Sequence, residues 1–329
     1  MRTDPVVGNQ KGLALVLTLL AISFLVAVTV QLMITIDRQV SLAAAQREQV
    51  RLDSMVLAGL NLARAALLAD QREKNTFHSP QSSWAAFDQE KIKNFAGDVD
   101  LRITVTDLSG RLQVNALGQA AQKKYREIWL RFLRSGRFAV ASDEEAEALL
   151  DAISDWVDKD NTEHRQGAEE SYYRSLTPPY SCRNDKMTSP EELLLIKGMT
   201  PRIVYGDQDH EGIINYITTA GEDGKINLNT APLAVLQALS SEMNPKLAQE
   251  LIDYREDEQH KKVLATVGWY RKVSGFPSTI SLGDDVLTVT GKYFSIRATA
   301  AIHQYRRVGT GFLFRADNQE QTLLSWKIE

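Results

Sequence analysis

The sequence predicts an α+β fold in which an antiparallel sheet is split by a large all-helical insert and preceded by a long N-terminal helix. Three observations predict it. Residues 12–36 form an apolar run without a charge. Strict alternation of apolar and polar residues occupies 99–106 and 111–114, then returns only at 286–289, 293–302, 306–314 and 322–328. Between those two groups the apolar period is that of helices.

The apolar run would rise about 37 Å as a helix, enough to cross a bilayer core of roughly 30 Å with some tilt. Thr18, Ser23, Thr29, Gln31 and Thr35 interrupt it and are tolerable in a spanning helix. Arg2 and Lys11 precede it, whereas Asp37 and Arg38 cancel behind it, so the positive-inside bias keeps the N-terminus cytoplasmic and exports the bulk. A cleaved secretory signal competes through Ala43-Ala44-Ala45, but its apolar region is about 7–15 residues and Asp37-Arg38 intervene here. A plain single-span anchor explains the hydropathy equally well.

The helical pattern continues past Arg38. Val40, Ala43, Val50, Val56, Leu60, Ala63 and Leu67 keep an apolar stripe, and no proline falls between Pro5 and Pro80. One helix of about 55 residues is predicted, far beyond globular habit, so it packs against similar helices. The alternation at 99–106, the turn Asp107-Leu108-Ser109-Gly110 and the alternation at 111–114 predict a β-hairpin with Gly110 at positive φ. Helices are predicted at 125–133, at 143–157 behind a Ser142/Glu145 capping box, and at 190–197 behind Ser189. A further pair runs from Asn229-Thr230-Ala231-Pro232 to Leu239 and from Lys246 to Tyr254.

The 329 residues carry 43% hydrophobic and 24% charged side chains, ordinary for a folded chain long enough for two units. A net charge of −4 gives no global attraction for nucleic acid or anionic membranes. One cysteine, Cys182, excludes an intramolecular disulfide and reads as an unpaired structural thiol. There is no P-loop, no Gly-x-Ser-x-Gly, no Gly-x-Gly-x-x-Gly and no metal-spaced Cys/His set. The expectation is therefore no catalytic residue and no enzyme.

Two stretches carry candidate chemistry. Asp155-Trp156-Val157-Asp158-Lys159-Asp160-Asn161 and Gly167-Ala168-Glu169-Glu170-Ser171-Tyr172-Tyr173 bracket one loop. Asp158, Asp160, Glu169 and Glu170 could supply the oxygens that Ca²⁺ prefers, though not at EF-hand spacing. A solvated acidic loop is the alternative. A catalytic carboxylate pair has no supporting nucleophile. Residues 225–256 are similar to the helix-hairpin-helix of competence-type DNA-binding proteins, whose Gly-rich hairpin presents N–H groups to a phosphate. Here the hairpin reads Ser240-Ser241-Glu242-Met243-Asn244-Pro245, without glycine, and the next helix ends Arg255-Glu256-Asp257-Glu258. A membrane-anchored nucleic-acid-binding protein is thus the second reading, and no nucleic-acid partner is expected.

Taken together these residues resemble the K subunit of the type II secretion system, a large minor pseudopilin (the GspK family). The resemblance rests on Lys11-Gly12-Leu13 ahead of the long helix, the split sheet, the two acidic segments, Glu191-Glu192-Leu193 and Ile226-Asn227-Leu228-Asn229-Thr230-Ala231-Pro232. It implies a prepilin leader (1–12) that a prepilin peptidase cuts between Gly12 and Leu13, with methylation of the new N-terminus. A helix (13–70, spanning at about 13–36) follows, then a pilin-like first part (71–117), the helical insert (118–284) and the last strands (285–329). It further implies structural Ca²⁺ in the insert and a tip complex with the I and J minor pseudopilins. The inner-membrane assembly platform and secreted cargo are candidate partners, with the chain single-pass in the inner membrane and its bulk periplasmic. Most pilin-like proteins carry glutamate at the fifth residue after the cut; here it is Leu17, which agrees with the K pattern. An unpaired acid there would cost about 2.5–3.5 kcal/mol in lipid, and a tip subunit has no neighbouring amine to pair with it.

Overall fold

The computed structural model describes residues 10–72, 77–85, 87, 89–119, 123–316, 318 and 320–329. In chain order the first elements are α1 (Gln10–Arg72), α2 (Gln89–Ala96), β1 (Asp100–Asp107) and β2 (Leu112–Gln113). Helices α3 (Lys123–Leu133), α4 (Asp143–Val157), α5 (Glu170–Ser175) and α6 (Pro201–Tyr205) follow. Then come β3 (Ile217–Thr218), β4 (Ile226–Asn227), α7 (Leu233–Ala238), α8 (Pro245–Glu256) and β5 (Leu287–Thr288). The chain closes with β6 (Tyr293–Ile302), β7 (Tyr305–Arg315) and β8 (Gln321–Ile328).

The long helix forms as expected, 63 residues without a break. Its two halves meet different surroundings. Leu13, Leu17, Phe24, Leu32 and Ile36 are all exposed, whereas Leu52, Val56, Leu60, Ala63 and Leu67 are buried. The latter recur every three or four residues and so share one face, which packs on β1, β6 and β7. The four-stranded sheet runs β1-β6-β7-β8, antiparallel throughout. Val105, Phe294, Ile296, Ala298 and Leu313 close this first core from the sheet side.

The predicted hairpin does not form. β1 pairs with β6, Asp100 opposite Ala301 and Asp107 opposite Phe294, and the chain then leaves the sheet. The Asp107 carboxylate accepts the Ser109 N–H at 2.8 Å and caps a 3₁₀ turn over Leu108–Gly110. Residues 112–113 pair in parallel with β3 instead. Gly110 is not at positive φ. A Cβ on it would sit 2.6 Å from the Thr230 carbonyl carbon, so this glycine permits two backbone segments to touch.

The insert has its own core, spanning Leu112 to Val289 and filled by Tyr125, Trp129, Phe132, Tyr173, Trp269 and Tyr270. The 143–157 helix is found with the bounds predicted. Ser142 Oγ accepts the Glu145 N–H, while the Glu145 carboxylate reaches the Ala141 N–H rather than that of Ser142. Residues 190–195 form a 3₁₀ run instead of a longer α-helix, with the full Ser189/Glu192 capping box. The helix expected from Asn229 begins at Leu233; Asn227 ends β4 and Asn229 lies in the turn that follows, both buried.

Two buried joints tie the parts of the fold together, the first between β1 and the insert and the second between β7 and α1. Asp107 accepts from Asn227 Nδ2 (2.6 Å) and Thr230 Oγ1 (2.8 Å). Arg315 donates to the Leu67 carbonyl (3.0 Å) beside Asp70, with His78 against its guanidinium.

Candidate functional site

The acidic loop joins the C-terminal end of α4 to α5, and Asp155 is its hub. This fully buried carboxylate accepts the Ala168 N–H at 2.7 Å and the His164 N–H at 3.2 Å, and it contacts His164 Nδ1. One turn earlier, Asp151 accepts the Gln166 N–H at 3.1 Å and pairs with Arg126. These backbone bonds fold the loop back over the helix end and aim the remaining acids at one another.

One oxygen each from Asp158, Asp160 and Glu169 lies within 4.8 Å of the others, and Asp155, Asp158 and His164 form an overlapping group of the same kind. Asp158 Oδ1 and both Glu169 carboxylate oxygens are buried with no hydrogen-bond partner among the described residues. Such orphaned oxygens are costly without a compensating charge. Burial, then the charges of Asp160 and Asp155, pushes the Asp158 carboxyl up to about 6. Burial, then Asp155 and Asp158, pushes that of Glu169 up to about 7. Asp160, at the exposed rim, is held below the usual carboxylate range by the Thr162 N–H. Asn184 donates to the Asp160 carbonyl at 2.8 Å, leaving its own Oδ1 buried and unbonded. Asp158, Asp160 and His164 also line an open cavity of about 290 Å³. Carboxylate oxygens crowded together, three of them without a hydrogen-bond partner among the described residues, fit a hard cation.

Three of the four carboxylates expected in the cluster are therefore together, and Glu170 is not. Its carboxylate accepts from Arg174 Nε (2.6 Å) and the Cys182 N–H (2.7 Å), the first of which holds it below its ordinary range. Sequence reasoning missed Asp155, His164 and Asn184. The signal for Asp155 was available, since it stands one helical turn before Asp158 on the same face. Cys182 is buried and free, its thiol pushed up to about 12 by burial, with Sγ 3.7 Å from the Asp155 carbonyl.

The helix-hairpin-helix-like stretch is built differently from a phosphate site. Asn244 Oδ1 accepts the Leu247 N–H and Ser240 Oγ the Glu242 N–H, so side chains of the hairpin take its donors. Arg255 is buried and bonds the Leu228 and Ala231 carbonyls at 3.0 and 2.8 Å. Asn229 Nδ2 bonds the Leu264 carbonyl. The conspicuous Asn and Arg residues here fasten the insert internally.

At the other end of the molecule, Gly12, Leu13 and Leu17 lie on the exposed apolar part of α1; the first nine residues of the expected leader fall outside the described residues. The helix from Gly12 is long and apolar enough to cross a membrane, and its most apolar window is entirely unburied.

A long apolar helix packed into a four-stranded antiparallel sheet, with a helical insert between β1 and β6, defines a pseudopilin-type α+β protein. Residues 110–205 and 226–289 each match a family described as type II secretion system (T2SS), protein K. The chain belongs to that family. It is 28% identical over 254 residues to the type II secretion system protein K of Pseudomonas aeruginosa, covering 76% of this chain and 74% of the relative. It is 26% identical over 274 residues to that of Klebsiella pneumoniae, covering 79% and 77%. The fold is also that of a chain in the crystal structure of the GspK–GspI–GspJ complex from enterotoxigenic Escherichia coli. That match has a TM-score of 0.61 at 18% identity and covers 87% of this chain and 99% of the other.

Proposed function

We propose that this chain is the minor pseudopilin at the tip of the type II secretion pseudopilus. There it initiates or caps assembly together with I and J minor pseudopilins and so supports export of folded periplasmic proteins across the outer membrane. The observation that carries this reading is Leu17, an apolar side chain exposed on the helix surface that lipid would cover. A subunit inside the filament would need an acid there to meet the next subunit's amine; a subunit with nothing above it is better served by leucine. The bulk of the helical insert agrees, since it would obstruct neighbours within a helical stack.

In this reading a prepilin peptidase cuts between Gly12 and Leu13, the new N-terminus is methylated, and α1 anchors the chain in the inner membrane with its bulk in the periplasm. A structural Ca²⁺ sits among Asp158, Asp160 and Glu169, where three buried oxygens lack partners. The deciding experiment is affinity purification of the tagged full chain from membranes co-expressing the I and J subunits. Stoichiometric recovery of both is expected. Recovery of neither, with the chain folded, would overturn the tip assignment.

A further inference from the structure

On the side of the sheet facing the insert, a cavity of about 760 Å³ opens between the turn at 186–191, β3 and the outer surface of β7 and β8. Its walls are largely apolar, with Leu108, Met187, Ile217, Phe312 and Leu324 among them. Phe312 and Leu324 are 39% and 53% exposed, high for large apolar side chains on a folded sheet. Two charged side chains of the lining make no ion pair among the described residues, Arg111 and Glu191, and the Glu191 carboxylate is held by the Ser189 hydroxyl. The Arg111 side chain lines the cavity, and among the described residues it makes no ion pair and no side-chain hydrogen bond. Burial alone lowers its pKa, and no carboxylate offsets it. Lys186, the other cation of the lining, is already paired with Glu222 at 2.6 Å. A half-buried guanidinium beside an apolar wall, lacking an acceptor, is complementary to a carboxylate carried on an apolar body.

The cavity also runs onto a sheet edge. Among the described residues β8 is the terminal strand of the sheet, paired with β7 alone, and its Leu324 and Ser325 lie beside a register shift between Phe312 and Leu313. An edge strand offers its outer row of N–H and C=O groups to an extended chain. The geometry points to a docking site for an extended peptide segment of a second protein, apolar in its alternate side chains and bearing one carboxylate that pairs with Arg111. The strand edge supplies backbone bonds and the cavity takes the side chains, while the guanidinium sets the register.

The test uses the full chain in detergent and a fluorescein-labelled peptide, acetyl-Val-Thr-Glu-Thr-Leu-Thr-Val-amide, whose glutamate shares a face with its apolar side chains, followed by anisotropy. Saturable binding is expected, weakened about tenfold or more by Arg111→Gln or by exchanging the peptide's glutamate for glutamine. Making both changes together should weaken binding no further than either alone, the mark of a direct pair. Arg111→Gln should leave the melting temperature unchanged or raise it, because it removes an unpaired charge; a lower melting temperature would mean a structural role instead. Leu324→Asp, placing a like charge at the mouth, gives an independent variant that should also lose binding. Equal binding by wild type and Arg111→Gln would overturn the proposal. So would displacement of the peptide by octanoate or inorganic phosphate at equal concentration, which would make the site one for small anions or lipids.

Discussion

Gly167 lies so close to Asp155 that a Cβ on it would stand 1.9 Å from Oδ2 of the carboxylate. That contact is what lets Asp155 collect N–H bonds from both sides of the loop. Gly167→Ala should therefore push Asp155 away from the Ala168 N–H, combining overpacking with an unmade buried bond. A loss of about 1–3 kcal/mol is expected, lowering the insert's melting temperature by several degrees. Calorimetry of the detergent-solubilised chain reads this; an unshifted transition would mean the loop has another way to close.

The proposed cation separates Glu169 from its neighbour. Calcium at a hundredfold over its dissociation constant should add about 2.7 kcal/mol by linkage. Asp158→Asn and Glu169→Gln should remove most of that gain while raising the stability of the calcium-free chain, since each deletes a buried like charge. Glu170→Ala should keep the calcium response and lose only the contacts to Arg174 and Cys182. Melting in calcium and in chelator distinguishes these outcomes. Superimposable curves for the wild type would reduce the loop to an acidic surface.

His78 predicts a pH dependence. Burial, with the Arg315 charge second, lowers its pKa from 6.5 to about 3. The Gly291 N–H donates to Nδ1 at 2.6 Å, a bond available only to the neutral ring. Between pH 6.5 and 3 the unfolded chain thus binds a proton that the folded one refuses. Its contribution is full above 6.5 and is lost as pH falls through that window, by up to about 1.4 kcal/mol per pH unit. The difference between wild type and His78→Gln, measured by denaturant titration at pH 7 and pH 5, should shrink on acidification. A constant difference would place the proton elsewhere.

What the sequence revealed depended on how local the cause was. The 143–157 helix was legible because Ser142 caps it and nothing inside breaks it, and β6 because its alternation is strict. The partner of β1 was not, because an Asp-x-x-Gly turn looks the same whether its glycine needs positive φ or, as at Gly110, merely room for another backbone. The acidic segments were legible as a pair, yet Glu169 and Glu170 are adjacent. Only the start of α5 decides which turns inward and which meets Arg174. Asn227 and Asn229 stood out as a motif, but their partners, Asp107 and the Leu264 carbonyl, lie far off in sequence.

Asp107 offers the sharpest test of how sheet and insert are joined. Its two carboxylate oxygens accept from three donors, the Ser109 N–H, Asn227 Nδ2 and Thr230 Oγ1, all in a buried setting. Only an acceptor-only group satisfies that set. Asp107→Asn, although the same shape, must aim an NH₂ at one of those donors. It should cost about 1–3 kcal/mol, close to the loss from Asp107→Ala, which leaves the donors with no acceptor. Asn227→Ala in the Asp107→Ala background should then cost less than in the wild type, by roughly 0.5–3 kcal/mol of coupling. Denaturant unfolding of the four chains measures it. Additive losses would show that the two residues do not act as a joint.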